Sequence, residues 1–113
     1  MRIHILALAA VAGICFAATT LMARADDTGF ASSHDLRKEA GRLCMSDHAH
    51  SGYGVGATKD AARVAAIRAW IDFTNLEYGS VWASYSAGAS PTTKYTKEAS
   101  GWGALVEARP CRR

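Results

Sequence analysis

The sequence predicts a small domain of the α+β class, with helices on one face of an antiparallel sheet. Two observations carry this prediction. The stretch 59–78 has the helical spacing of apolar side chains, and shorter runs after it alternate apolar and polar residues as strands do. The predicted order is a short N-terminal helix, a strand, a long helix and a three-strand antiparallel meander.

The long helix is the best-defined element. Thr58 is a suitable N-cap, and Gly79 stands where a helix commonly ends. Its apolar residues form a broad stripe and a narrow one on opposite sides. We expect the broad stripe to pack on the sheet, and the narrow one on the first helix or a second subunit. The broad stripe contains Ala62, Ala65, Ala66, Ala69, Trp70, Phe73 and Leu76, and the narrow one Val64, Ile67 and Ile71.

The remaining elements are shorter. Leu36, Ala40 and Leu43 have the spacing of one helical stripe, which predicts a short helix over 34–44. Alternating patterns and turn residues predict strands, of which the polar run 93–99 is typical of a sheet edge. The predicted strands are 48–55, 81–87, 93–99 and 102–109.

The first residues have the pattern of a signal peptide. A basic start is followed by an uncharged apolar run over 5–21, and Ala23-Arg24-Ala25 matches the small-x-small cleavage pattern. We therefore predict a signal peptide over 1–25, cleaved after Ala25, and a periplasmic or secreted protein without a stable membrane anchor. A retained anchor would need a longer apolar run. A lipoprotein would need a small residue before Cys15, where Ile14 stands.

The net charge of the predicted mature chain argues against nucleic acid as a partner. After cleavage a polar leader, 26–33, precedes a single domain over 34–113. The 13 lysines and arginines include Arg2 and Arg24, so 11 remain against 10 acidic residues, a net charge of +1. The basic residues are also scattered along the chain, so nucleic acid is not an expected partner.

The cysteines agree with export. Cys15 is lost with the signal peptide, which leaves Cys44 and Cys111 as a pair in an oxidising compartment. A disulfide between them is the expected arrangement. The alternative makes Cys44 a nucleophile activated by His48 or His50, but an unpaired thiol would be oxidised there.

Two histidines form the strongest candidate for a metal site. On an extended strand, His48 and His50 point to the same face, and two imidazoles can bind one zinc or copper ion. His34, Glu77 or Glu107 can supply a third ligand. The alternative is a solvated histidine pair that binds no metal.

The glycine run ahead of the long helix suggests a phosphate loop but does not match one. Gly52, Gly54 and Gly56 lead into the helix, yet Lys59 follows Thr58, the reverse of the phosphate-loop order. Our interpretation is a glycine-rich turn that lets two backbone segments pack closely.

A second candidate site is a surface around Trp82. The alternation of 81–87 places Trp82 away from the helix, with Ser84, Leu105 and Glu107 on the same face. An exposed tryptophan among small polar residues is typical of a binding surface.

No catalytic arrangement of residues is visible in the sequence. The expected function is therefore a non-enzymatic module that binds a protein or a cell-envelope component, or forms a homodimer. The alternatives are a periplasmic transition-metal-binding protein that uses His48 and His50, and an inhibitor of an envelope hydrolase.

Several segments also carry a resemblance. They are His48-Ala49-His50 with the glycine run, 59–70, Glu77-Tyr78-Gly79 with Trp82, and 107–112. Through these segments, the stretch 44–111 resembles small exported proteins of soil alpha-proteobacteria. The resemblance implies no activity, cofactor or site residue.

Overall fold

The computed structural model describes residues 25–112, which contain one long helix and two three-stranded antiparallel sheets. The predicted α+β class is confirmed. The predicted signal peptide, up to Arg24, lies outside the described residues. Within them, no helix is both long and apolar enough to cross a membrane.

The two sheets differ in size and role. The smaller sheet has the order β1-β2-β6, and the larger sheet, on which the helix packs, has the order β3-β5-β4. Three short 3₁₀ turns cover Phe30–Ser33, Ser80–Trp82 and Tyr85–Ala87. The elements are β1 (Leu36–Glu39), β2 (Arg42–Met45), β3 (His50–Gly56), α1 (Lys59–Tyr78), β4 (Ala89–Glu98), β5 (Gly101–Arg109) and β6 (Cys111–Arg112).

Helix α1 begins and ends where the sequence predicts. The Thr58 hydroxyl accepts a hydrogen bond from the Ala61 amide at 3.1 Å, and Gly79 ends the helix at φ 95°. The buried stripe is narrower than predicted, because Phe73 and Leu76 are 48% and 79% exposed. One row at four-residue spacing is enclosed, namely Ala62, Ala66, Trp70, Thr74 and Tyr78.

The glycine run forms β3 and lies directly under α1. A Cβ atom at Gly52 would lie 2.1 Å from the Ala66 carbonyl oxygen, and one at Gly54 would lie 2.3 Å from the Ala66 amide nitrogen. Glycine is required here because the helix backbone occupies the space of a side chain. The sequence interpretation that these glycines let two backbone segments pack closely is therefore confirmed. The glycines, however, belong to a strand and not to a turn.

The predicted short helix over 34–44 is wrong, since this segment forms the hairpin β1–β2. Ala40 and Gly41 have φ values of 46° and 75°, so both central residues of the two-residue turn have positive φ, as the favoured hairpin turns require. Leu36 and Leu43 still reach apolar neighbours, because both pack on the buried cluster of Ala31, Met45, Tyr78 and Trp82.

The segment 81–87 is also not a strand. It forms two 3₁₀ turns, and its buried residues Trp82, Tyr85 and Ala87 do not alternate regularly with exposed ones. The alternation seen in the sequence therefore does not describe its geometry.

The larger sheet is consequently not a simple meander. The predicted strands 93–99 and 102–109 are confirmed as β4 and β5, and β4 lies at an edge as expected. The third strand is β3, which pairs with β5 from His50↔Ala108 to Gly56↔Trp102. The central strand β5 thus joins two segments that lie on opposite sides of α1 in the chain.

The disulfide between Cys44 and Cys111 is confirmed, and both residues are fully buried. They are directly opposite each other in the β2–β6 pairing. Since both sulfur atoms are bonded, Cys44 is not a nucleophile.

One arginine joins the two sheets. Arg109, on β5, donates from both terminal nitrogens to the Glu39 carboxylate of β1, at 2.8 Å each. The hydrogen bonds from Arg109, with help from Arg37, lower the pKa of Glu39 to about 2. The carboxylate is therefore ionised, and the β1–β2 hairpin is held to the larger sheet by a bidentate ion pair.

Candidate metal centre

The structure brings together His48, His50 and Glu77. One possible ligand atom from each lies within 4.8 Å of the other two. His48 precedes β3, His50 begins β3, and Glu77 lies in the last turn of α1. Of the three possible third ligands named from the sequence, Glu77 joins this group. Glu107 does not, because it pairs with Ser51 on the face of the sheet away from α1.

His50 is held in place by its neighbours and is only 2% exposed. The Trp70 indole donates hydrogen bonds to the carbonyl oxygens of His50 and Ala108, at 3.0 and 3.2 Å. This shared donor fixes the start of β3 to the end of β5. The His50 ring is therefore carried by a rigid part of the core.

The hydrogen bonds of Thr74 determine which His50 nitrogen carries the proton. The Thr74 hydroxyl donates to the Trp70 carbonyl oxygen at 2.7 Å, and it lies 2.9 Å from Nδ1 of His50. Because the hydrogen of the Thr74 hydroxyl is already donated to Trp70, its oxygen must accept a hydrogen bond from Nδ1 of His50. Nδ1 therefore bears the proton. Nε2 of the neutral ring therefore carries the lone pair.

That lone pair faces a carboxylate. Nε2 of His50 and Oε2 of Glu77 are 2.9 Å apart, yet both atoms are buried and neither has a correctly aligned hydrogen bond to any described residue. Burial lowers the pKa of His50, which outweighs the opposing effect of Glu77, so the ring is neutral at neutral pH. Two electron-pair donors thus face each other, an arrangement that a metal ion or a shared proton between them would stabilise.

Two further aromatic side chains surround the group. The His34 ring stacks on His48 at 4.5 Å between centroids, and the Tyr78 ring stacks on His50 at 4.9 Å. Nε2 of His34 and the Tyr78 hydroxyl are hydrogen-bonded at 2.9 Å. Burial raises the pKa of Tyr78 to about 12, so its hydroxyl stays neutral. These residues orient the imidazoles and are not themselves part of the ligand group.

The segment that follows Ala25 secures the end of α1 that carries Glu77. The Thr28 amide donates to the Tyr78 carbonyl oxygen at 3.1 Å, and its hydroxyl donates to the Glu77 carbonyl oxygen at 2.6 Å. A Cβ atom at Gly79 would lie 2.5 Å from the Asp26 carbonyl oxygen, so this contact is tight. The predicted polar leader is thus an ordered part of the site.

An open cavity of about 310 Å³ leads to the outer side of the group. It is lined by Ser33, His34, Asp35, Asp47 and His48. Two carboxylates at this opening favour the approach of a cation. His48 connects the cavity with the buried pair.

The donor set is suitable for a transition metal. Two imidazoles and one carboxylate are the ligands that zinc accepts, and imidazole also suits copper. Thr74 fixes the tautomer of His50 from behind, as the outer partners of metal-bound histidines commonly do. Three protein ligands leave a further coordination position for water or a small ligand.

The predicted binding surface around Trp82 does not exist as described. Trp82 is 2% exposed, because it packs in the cluster with Ala31, Met45 and Tyr78. Leu105 and Glu107 lie on the opposite face of the larger sheet from the buried Ala104, Val106 and Ala108. Ser84 is separate from both and contacts Ser86.

Sequence reasoning missed the roles of Thr74 and Tyr78. Thr74 lies four and Tyr78 eight residues after Trp70, on the buried row of α1, and Glu77 directly precedes Tyr78. A polar residue within such a row is a signal for a buried hydrogen-bonded site. The signal was missed because the broad apolar stripe predicted for α1 includes neither Thr74 nor Tyr78.

No protein-family model, curated protein or solved structure matches this chain.

Proposed function

We propose that this protein is an exported metal-binding protein that holds one zinc or copper ion between His48, His50 and Glu77. The observation that carries the proposal is the pair of buried, unaligned donor atoms on His50 and Glu77, with His48 beside them. A buried lone pair next to a carboxylate has a large energetic cost without a cation.

A shared proton is the simplest competitor to a metal ion. It would require an N–H···O bond between His50 and Glu77, and the pair is close but lacks that alignment. A proton also gives no role to His48. Three converging donors from two elements therefore favour a metal ion over a proton.

Two other features support the wider proposal. The buried Cys44–Cys111 disulfide is consistent with the oxidising compartment that the predicted signal peptide implies. Because a single chain supplies three ligands, binding does not need a homodimer. The hypothesis of a partner-binding module relied on an exposed Trp82 and loses that basis.

The double variant His48→Ala/His50→Ala should lose metal binding. We expect the wild-type chain to take up about one zinc or copper ion, and the variant to bind at least about 100-fold more weakly. Binding should also weaken as the pH falls below about 6.5, the usual pKa of a free imidazole, since imidazoles must be neutral to bind metal. The pKa of His50 is lowered, so protonation of this ring contributes to the loss only at more acidic pH. Isothermal titration at neutral and mildly acidic pH measures both effects.

Two glutamate variants provide the matched comparison for this experiment. Glu77→Gln should weaken binding, whereas Glu107→Gln should behave as wild type, because Glu107 lies on the other sheet face. Equal metal uptake by wild type and the double-histidine variant would contradict the proposal. So would the absence of uptake by wild type at micromolar metal.

Thr74→Val should weaken metal binding although Thr74 is not a ligand. The substitution keeps the shape of the side chain but removes the acceptor that holds hydrogen on Nδ1 of His50. Loss of such a partner typically costs about 10- to 100-fold in affinity. Thr74→Ser, which keeps the hydroxyl, should retain most of the metal affinity. Thr96→Val, a substitution at an exposed position, should bind metal as tightly as wild type does. If all three variants bind like wild type, the tautomer of His50 does not control the site.

A further inference from the structure

A groove separate from the metal centre runs between α1 and the segment 83–91. Its volume is about 660 Å³, and it is bordered by Ile67 and Ile71 on one side and by Tyr85 and Pro91 on the other. Sites for small molecules usually occupy about 300–1,000 Å³ and are mostly apolar. The groove therefore has the size and lining of a ligand site.

The apolar wall of the groove is formed by two residues of the narrow stripe of α1, Ile67 and Ile71. The sequence predicts that Ile67 and Ile71 pack on the first helix or on a second subunit, but the segment of that helix forms the β1–β2 hairpin. The two isoleucines instead pack on the core from one side and remain partly exposed on the groove side. The 3₁₀ turn Tyr85–Ala87 borders the stripe without covering it.

Two residues with polar groups, Tyr85 and Arg63, border the groove. Tyr85 is 9% exposed, and its hydroxyl is buried without a hydrogen bond to any described residue. Its ring lies against Trp70 at 5.3 Å between centroids. Arg63 also borders the groove, is exposed, and has no described carboxylate within salt-bridge distance. A guanidinium without a described carboxylate partner, beside an apolar wall, matches a ligand that is apolar with one anionic end.

We propose that this groove binds a small amphiphilic anion. Its apolar body, about the size of two fused rings or a medium alkyl chain, lies between the isoleucine wall and Tyr85. Its carboxylate or sulfonate pairs with Arg63. A neutral molecule of the same shape fills the groove but leaves the guanidinium without a partner, so the anion is preferred.

Two fluorescent probes that differ mainly in charge test this proposal. Anilinonaphthalenesulfonate is anionic, and phenylnaphthylamine has a similar apolar body without the sulfonate. With the full chain kept metal-free by a chelator, we expect saturable 1:1 binding of the anionic probe and about tenfold weaker binding of the neutral one. The fluorescence of Trp70 should fall as the groove fills, because Trp70 contacts Tyr85.

Three variants locate the binding. Arg63→Gln should remove the preference for the anion, whereas Arg68→Gln, exposed elsewhere on α1, should keep it. Ser84→Phe should fill the groove and abolish binding of both probes, with circular dichroism showing that the fold is kept. Arg63→Gln tests the proposal even if Ser84→Phe fails to fold.

Three results would overturn the proposal. Equal affinity of wild type for the two probes would remove the role of charge. Identical behaviour of Arg63→Gln and Arg68→Gln would remove the role of Arg63. Concentration-dependent dimerisation that is abolished by Ser84→Phe would show that a second copy of the chain occupies the groove.

Discussion

Gly52→Ala is expected to unfold the domain or to lower its free energy of unfolding by about 3 kcal/mol or more. The added Cβ atom would lie 2.1 Å from the Ala66 carbonyl oxygen and 2.5 Å from the Trp70 amide nitrogen. Both atoms are helix backbone, so no side-chain rotation can relieve the clash. The helix would have to move away from β3, which separates Glu77 from His50 as well.

Urea unfolding followed by circular dichroism measures this effect. Ser51→Ala is the matched control, because Ser51 is the adjacent residue of β3, is exposed, and faces away from α1. Ala66→Gly should not rescue Gly52→Ala, since the clashing atom is the backbone oxygen and remains. A Gly52→Ala chain with the wild-type midpoint would show that α1 does not lie this close to β3.

Removal of the disulfide is the second large effect that we expect. The double variant Cys44→Ala/Cys111→Ala should be less stable than the oxidised protein by about 2–4 kcal/mol, because the bridge closes a loop with a sequence separation of 67. That is a large fraction of the stability of a small domain. The two-residue strand β6 also depends on this bridge to stay beside β2.

Chemical unfolding of three samples separates the disulfide from its side chains. Oxidised wild type should be the most stable, whereas reduced wild type and the double variant should both be weaker. Under non-reducing conditions, mass spectrometry of the oxidised wild type should detect no free thiol at Cys44 or Cys111. A double variant as stable as the oxidised protein would contradict the expected contribution of the bridge.

The metal centre and the groove are on two sides of one core residue. The Trp70 indole binds the carbonyl oxygen of His50, and its ring contacts Tyr85 on the groove. Trp70 is itself fully buried. Both proposed sites therefore depend on the packing of α1 against β3 and β5, and a variant of Trp70 would disturb both without distinguishing them.

Short-range patterns were sufficient to predict part of this protein. Thr58 and Gly79 determined the ends of α1, because capping depends on residues within one turn of the helix. The alternation of 102–109 determined β5, and the polar character of 93–99 placed β4 at a sheet edge. The Cys44–Cys111 bridge followed from the number of cysteines that would remain after the predicted cleavage of the signal peptide.

Elements with ambiguous spacing required the tertiary structure. Leu36, Ala40 and Leu43 fit a helical stripe, yet the positive φ of Ala40 and Gly41 turns the segment into a hairpin. The alternation of 81–87 is equally compatible with a strand, but the segment forms 3₁₀ turns and Trp82 is enclosed. Over so few residues, several conformations produce the same apolar pattern, and contacts with distant elements decide between them.

The candidate metal centre, too, was predicted only in part from the sequence. The sequence by itself predicted that His48 and His50 lie on one side of the chain, because residues two apart on extended backbone point the same way. The two are indeed neighbours, although His48 lies just before β3. Only the tertiary structure selected Glu77 over His34 and Glu107 and placed Thr74 behind His50. That selection depends on how closely α1 lies on β3, and this distance results from the packing of the glycine strand against the helix backbone.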